Sequence, residues 1–441
     1  MTAVVGILNK RGVAIAADSA VTRTCKDEQK VTKNGNKMVR VSNAVPIGVM
    51  ITSAGDFLNN PWDIVIRCYR RERGNIAHPT VEACLNDLFE YISSNEQLWG
   101  AKTTSQSIWN ALDTVFNAIK DMLAADVTLR TNSKAHAYSK AYCRRFIQVL
   151  KKQCKAELAK GVCPPFEEYT IEDFRLVYKP VFDEWVTEIC KPSKRKGKIS
   201  CPKEFMNEIA EELEQTIFAK LTTRAEMVGC IKRVRRSVLV FTGYGVEQEY
   251  PSLVAVTVGG GFENRVNYHY SKKDIVCIND ETPVAICPFA QTDIAIAITG
   301  GLHRTHRKNV TTLIKNSLYY QDSVLFGDED KFDVEFSAML AEIKIDDLLA
   351  NLDKELLRQQ ENNKRVWERN LKDYDLNAMA ALAESMIDLT GVHRILTFSQ
   401  EGVGGPVDVA VITKNDGFSW LNRKSWCHHK DVNGQYGKLG I

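Results

Sequence analysis

Nowhere does the sequence offer an uncharged apolar run of the roughly 18 residues that a membrane span needs. Its most apolar opening, MTAVVGILNKRGVAIAADSAV, is interrupted by Lys10 and Arg11 and has no basic segment ahead of it, so it does not read as a secretory signal. These two absences lead us to expect a soluble, cytoplasmic protein with no membrane partner. An excess of one charge is missing too. The 58 basic and 55 acidic residues leave a formal charge of +3, which excludes arguing for a polyanionic partner from the total. The 12 cysteines include no CxxC pair and no zinc-finger spacing, so reduced and mostly buried thiols are expected rather than a disulfide framework or a metal centre.

Several local patterns invite a chemical reading and each has a plainer one. Cys427, His428 and His429 are adjacent, and three consecutive residues rarely point at one ion, so a polar tail is expected there. His303 and His306 have an i, i+3 spacing, but the arginines beside them oppose a bound cation. Gly259 to Gly261 in VGGGF lack the lysine and the following helix of a phosphate loop, and are expected to form a turn between strands. In SKAYCRRFIQVLKKQCK the basic and aromatic residues alternate as on an ordinary amphipathic helix, so no nucleic-acid partner is expected. No cofactor and no metal is expected either.

What the sequence does contain is an ordered alternation of strand and helix patterns. With 441 residues and 44% hydrophobic content it can bury a core of roughly two to three domains. Short β-branched runs open the chain: TAVVGIL, GVAIAADSAV, KMVRVS and PIGVMITSAG, with a turn over Asn9 to Gly12 joining the first two. Asn60 and Pro61 read as a helix start, and a second helix follows Pro79 with Val81, Cys84, Leu85 and Leu88 on one face. From about 95 to 235 three apolar stripes at helical spacing predict an all-helical segment. They are Ile108, Leu112, Val115, Ile119 and Leu123; Phe146, Leu150, Cys154 and Leu158; and Phe205, Ile209, Leu213 and Ile217. The basic run KPSKRKGKISCPK between its helices reads as a solvated loop. Strands return in SVLVFTGYG, LVAVTVGGG, RVNYHYS and PVAICPFA, helical periodicity fills about 330 to 370, and DLNAMAALAESMIDLTG reads as a helix capped by Asp375 and stopped by Gly391. GGPVDVAVIT and GFSWL close the series. This order predicts an α+β fold with antiparallel sheets. The expected organisation is core over 1–94, 236–304 and 375–441, a helical insertion over 95–235 and a helical extension over 305–374.

The first residues carry a chemical possibility of their own. A hydroxyl is a poor nucleophile until a base removes its proton, and a chain's own α-amine, with an ordinary pKa of about 7.7 to 8.0, can serve as that base. Met1 is followed by Thr2, small enough for the initiator methionine to be trimmed. Such a centre also needs a cation to hold the amine pKa down and a carboxylate to hold the cation, and Asp18 and Lys37 are available on the next strands.

Here TAVVGILNKRGVAIAADSAVT, followed after a gap by KMVRV, resembles the first strands of proteasome β-subunits and of the bacterial HslV peptidase, which are N-terminal-nucleophile hydrolases. The resemblance implies a four-layer αββα sandwich of antiparallel sheets with an inserted all-helical subdomain, and it makes Thr2 the nucleophile, Asp18 the orienting acid and Lys37 the cation. PIGVMITSAGD is similar to the strand and loop that provide the family's oxyanion-hole amide, near Thr52 or Ser53 here, where the family usually has glycine. VLVFTGYGVEQEYPSLVAVTVGGG resembles the central hairpin, and the last helix and strands are similar as well. Two turns depart from the family. CPFAQTD replaces a Gly-Ser-Gly turn, so Gln291 or Thr292 would support the amine, and QEGVGG over Gln400 to Gly405 replaces an Asp-x-x-Ser-Gly-Gly turn. The implied function is a threonine peptidase acting on peptide or protein. An inactive proteasome-like scaffold and a hydrolase of small amides remain open beside it. A homo-oligomer is implied, and an ATPase unfoldase as partner is left open.

Overall fold

The computed structural model describes residues 2–25, 28–32, 34–125, 140–191, 203–224, 236–291, 293–301, 308–314, 316, 345–397 and 403–424. In chain order β1 (Ala3–Asn9) and β2 (Gly12–Ala17) are followed by β3 (Val21–Cys25), β4 (Glu28–Thr32), β5 (Met38–Arg40), β6 (Ile47–Ser53) and the two-residue strands β7 (Asp56–Phe57) and β8 (Asn60–Pro61). Helices α1 (Trp62–Arg73), α2 (Val81–Ser94), α3 (Ala101–Ala125), α4 (Lys140–Leu158), α5 (Ile171–Cys190) and α6 (Lys203–Thr222) come next. Then come β9 (Ser237–Gly243), β10 (Ser252–Phe262), β11 (Arg265–His269), β12 (Ile275–Cys277) and β13 (Val284–Ala290), followed by α7 (Asp293–Gly300), α8 (Ile345–Leu371), α9 (Leu376–Thr397), β14 (Asp408–Thr413) and β15 (Gly417–Asn422). The chain is thus α+β with antiparallel sheets. It divides into two compact units, one of residues 1–37, 249–252 and 277–441, the other of 38–248 and 253–276. No helix among the described residues is long and apolar enough to cross a membrane.

The first unit is built on a five-stranded sheet in the order β13-β1-β2-β14-β15, antiparallel at each step. The N-terminal hairpin therefore sits in the middle of the sheet, flanked on both sides by strands from late in the chain. Alternation along the strands puts Ala3, Val5, Ile7, Ala14, Ala16, Val409 and Val411 on the face that receives Met379, Ala383, Met386 and Ile387 of α9. Each large side chain buried this way contributes about 1.5–3 kcal/mol relative to exposure. Gly12 has a packing reason. A Cβ there would lie 2.6 Å from the carbonyl oxygen of Ile412, so the close approach of β14 to the hairpin turn needs glycine. Asn9 ties the turn down: its Oδ1 accepts from the Arg11 amide at 2.9 Å, and its Nδ2 donates to the carbonyls of Leu371 and Tyr374.

Two local expectations change in this unit. The run GVAIAADSAV is not one strand, because Asp18 turns its carboxylate onto nearby backbone amides and the chain leaves the sheet from Asp18 to Ala20 before β3. Asp375 does cap α9, accepting from the Ala378 amide at 2.8 Å. Gly391, however, does not stop it. A glycine ends a helix by taking a left-handed conformation, and Gly391 does not take one, so α9 continues to Thr397.

The second unit has a sheet in the order β11-β10-β9-β6-β5 with β12 beside β10. Val49, Ile51, Leu239, Phe241, Val254 and Val256 share one buried cluster with Trp62, Tyr69, Leu85, Leu88 and Phe89 of α1 and α2. Thr80 caps α2 through its hydroxyl oxygen, which accepts from Ala83 N at 3.1 Å. Asn60 does not cap α1: the cap is Pro61, with no side-chain bond, and the Asn60 amide donates instead to the Leu58 carbonyl. Helices α3 to α6 gather a second core from Ile108, Leu112, Phe146, Phe174, Trp185, Ile209 and Leu213, and Phe262 at the end of β10 joins it. The stripe on α4 is buried at Phe146 and Leu150 but ends early, with Leu158 52% exposed at the helix terminus. Arg144, Arg145, Lys151, Lys152 and Lys155 occupy the solvent face of α4. The glycines 259–261 do not make the expected turn; they lie inside β10 beside a bulge, and the turn falls on Glu263 and Asn264, both left-handed. Gly261 is required there because a Cβ would lie 2.7 Å from the Trp99 ring.

Candidate active site

The first unit brings Thr2, Asp18 and Lys37 close together in the fold by a simple route. The β1–β2 register pairs Val4 with Ala17, so the residues just outside the pairing, Ala3 and Asp18, meet at the open end of the hairpin. The Asp18 amide donates to the Ala3 carbonyl at 3.2 Å, and the Ala3 amide donates to Asp18 Oδ1 at 2.9 Å. Lys37 Nζ donates to the same Oδ1 at 2.6 Å. The other oxygen, Oδ2, accepts from the amides of Ala20 and Gly404, each at 3.2 Å. Four donors from four separate places in the chain therefore converge on one carboxylate that is 1% exposed. Thr2 and Lys37 beside it are 9% and 5% exposed.

The loops around this carboxylate are fixed by their own bonds. Ser19 donates its amide to the Gly404 carbonyl and its hydroxyl to the Pro406 carbonyl at 2.6 Å, which clamps the segment before β14 onto the end of β2. Gly35, two residues before Lys37, donates to the Ser19 carbonyl at 2.9 Å. A Cβ on Gly35 would fall 2.2 Å from a Val21 methyl, so glycine lets the segment leading to Lys37 come this near.

Burial pushes the Lys37 ammonium below its ordinary pKa, and the nearby charge of Asp18 and its hydrogen bond oppose that push. A second ion pair lies close enough to be felt there. Lys424 lowers the Lys37 pKa further and Asp408 raises it. Their side chains are themselves buried, each 5% exposed, and bonded to each other: the Lys424 amide donates to Asp408 Oδ1 at 2.9 Å and its Nζ to Oδ2. In the β2–β14 register Asp408 stands opposite Ala17, one residue from Asp18.

Gln291 meets Thr2 through the backbone, its amide donating to the Thr2 carbonyl at 3.2 Å, and Ala290 before it is left-handed at φ 64°. Thr52 and Ser53 end β6 in the second unit; Thr52 is buried, Ser53 is exposed and left-handed at φ 67°, a conformation that favours glycine. Of Gln400 to Gly405, Val403 to Gly405 are described, and the Gly404 amide reaches Asp18 from there. Thr292, His303, His306, Cys427, His428, His429 and most of the basic run after Lys191 lie outside the described residues. Among the described residues no three metal-ligating side chains gather at one point.

Sequence reading missed Gly404, Asp408 and Lys424. An aspartate opening the apolar strand DVAVIT is the one local signal for Asp408, since a buried carboxylate demands a partner. Nothing in the local pattern marks Lys424, and Gly404 acts through its backbone. Comparison of the chain with protein-family models, curated proteins and solved structures finds no match.

Proposed function

We propose that the chain is an N-terminal threonine hydrolase of the proteasome-like class, cleaving amide bonds in peptides or proteins once the chain begins at Thr2. The observation that carries the reading is the shared carboxylate: Asp18 Oδ1 holds both Lys37 and the amide adjoining Thr2. The four-layer αββα sandwich and a closed homo-oligomer belong to the same proposal.

The chemistry follows from the groups at hand. The free α-amine of Thr2 takes the proton from its own hydroxyl while Oγ attacks the substrate carbonyl carbon. A tetrahedral oxyanion forms and collapses as the C–N bond breaks, and the ammonium formed on Thr2 returns its proton to the departing amine. The product is an ester on Thr2 Oγ and a free amine. Water, deprotonated by the same α-amine, then attacks the ester; the acid is released and the hydroxyl regains its proton. Lys37 favours the unprotonated amine by like-charge repulsion, and Asp18 holds Lys37 in place.

The altered turns favour a second reading, a scaffold that keeps the fold and does no chemistry. At Ala290 and Gln291 a left-handed alanine and a backbone amide stand where the family has Gly-Ser-Gly. Intact mass before and after treatment with a β-lactone probe separates the two. Loss of Met1 with one covalent adduct on Thr2 supports the hydrolase; a trimmed, unreactive N-terminus supports the scaffold. Adduct formation without cleavage of unfolded protein, but with turnover of short amides, would assign a small-amide hydrolase.

A further inference from the structure

We propose that the buried Lys424–Asp408 pair is a positioning element of the same centre, which sets the electrostatic field in which Lys37 and the threonine amine work. The inference rests on Thr2 being the nucleophile. Its physical basis is the placement of two like ion pairs side by side. Asp408 stands opposite Ala17 in the sheet, next to Asp18, and the segment before it is clamped to Ser19 and Asp18 by Gly404 and Pro406. The charged groups felt at Lys37 are Asp18 from the end of β2, Asp408 from β14 and Lys424 from the chain after β15.

A buried ion pair is an expensive way to anchor the segment after β15, because desolvation offsets most of its attraction and an apolar pair of equal volume often serves stability better. What an apolar pair cannot do is place a fixed charge beside another charge. Lys424 disfavours the proton on Lys37, in the same direction as burial, and Asp408 acts the opposite way with the smaller influence. Both oxygens of Asp408 are taken by Lys424, so neither residue is left over to bind substrate. Lys424 is therefore a positioning residue whose positive charge adds to that of Lys37 at the threonine amine, and its removal should alter the pH at which the centre becomes competent.

The test is the rate of β-lactone adduct formation at Thr2, followed by intact mass across pH in the full chain, for wild type, Lys424→Met, Asp408→Asn and the double variant. Lys424→Met removes a positive charge and leaves a negative one, so the ascending limb should move alkaline by about one pH unit, making labelling at pH 6.5 about tenfold slower. Asp408→Asn leaves the positive charge unpaired and should move the limb the other way. A role confined to holding the segment after β15 predicts no such opposition. If both single variants keep the wild-type profile, or shift it the same way, with their melting transitions intact, the inference is wrong. Should a single variant fail to fold, the neutral double variant decides. Its limb should move from the wild-type position, because the field of the pair is lost with both charges, and an unchanged limb overturns the proposal. Absence of any adduct on folded wild-type protein at every pH overturns the nucleophile itself and takes this inference with it, an outcome distinct from labelling that ignores Lys424.

Discussion

Asp18 is the residue on which the proposed centre turns, and its partner Lys37 is the natural place to test it. Replacing Lys37 with Ala leaves a buried carboxylate with backbone donors and no cation, a change that costs about 3–5 kcal/mol of stability. At a temperature where circular dichroism still reports folded protein, we expect the variant to lose labelling of Thr2. Labelling retained at the wild-type rate would remove Lys37 from the mechanism. Three thiols, Cys84 and Cys163 buried and Cys287 half-buried, give a second residue-scale prediction. Burial pushes Cys84 and Cys287 up to about 12 and Cys163 up to about 11, from an ordinary value of 9.0. Their folded values are raised, so the stability they contribute is fully present below pH 9.0 and is lost as pH rises toward the folded values. Urea titrations should show the midpoint falling between about pH 9 and 11, beyond any change in a variant with Cys84→Ala and Cys287→Ala. In native protein at pH 8 the exposed Cys277 should be alkylated by iodoacetamide well before these three.

At the scale of elements, helix α9 carries its own test. A Cβ at Gly391 would meet nothing within 4 Å, and the residue sits inside a helix that continues to Thr397. Gly391→Ala should therefore raise unfolding free energy by about 0.5–1 kcal/mol in a denaturant titration, through helix propensity and a smaller unfolded-state entropy. A loss of stability would mean that the helix does end at this glycine. The same helix shows what local pattern can and cannot convey. Asp375 was legible as its cap because an Asx side chain before an apolar run has one common use. Gly391 misled because glycine inside and glycine beyond a helix differ only in φ, which packing decides. Likewise the β-branched alternation made β1, β2, β6 and β9 readable, while the register shift that keeps Gly259 to Gly261 inside β10 arises from pairing with β11 and leaves no mark in the local pattern. Within the candidate site, Thr2, Asp18 and Lys37 were visible through their strand context. The donors from Gly404 and the pair Asp408 with Lys424 were hidden, since their proximity comes from sheet order and not from spacing.

For the whole molecule, the proposed homo-oligomer is open to direct measurement. Light scattering on untagged protein at micromolar concentration should give a mass several times the 49.7 kDa of one chain. A monomeric mass that persists at low salt would set aside a closed chamber and turn the functional reading toward a free-standing amide hydrolase.

The central position of the N-terminal hairpin in its sheet also has a meaning for biosynthesis. A ribosome delivers β1 and β2 first, yet their two sheet neighbours, β13 and β14, emerge only after residues 284 and 408, and the Gly404 amide that completes the Asp18 shell arrives with the second of them. Through most of translation the hairpin has two open edges, the kind of surface on which nascent strands aggregate or recruit chaperones. The same delay keeps the proposed nucleophile unassembled while other nascent chains are nearby. A stalled or truncated product ending before residue 403 would carry Thr2, Asp18 and Lys37 in full and still lack the donor from Gly404 that completes the proposed centre.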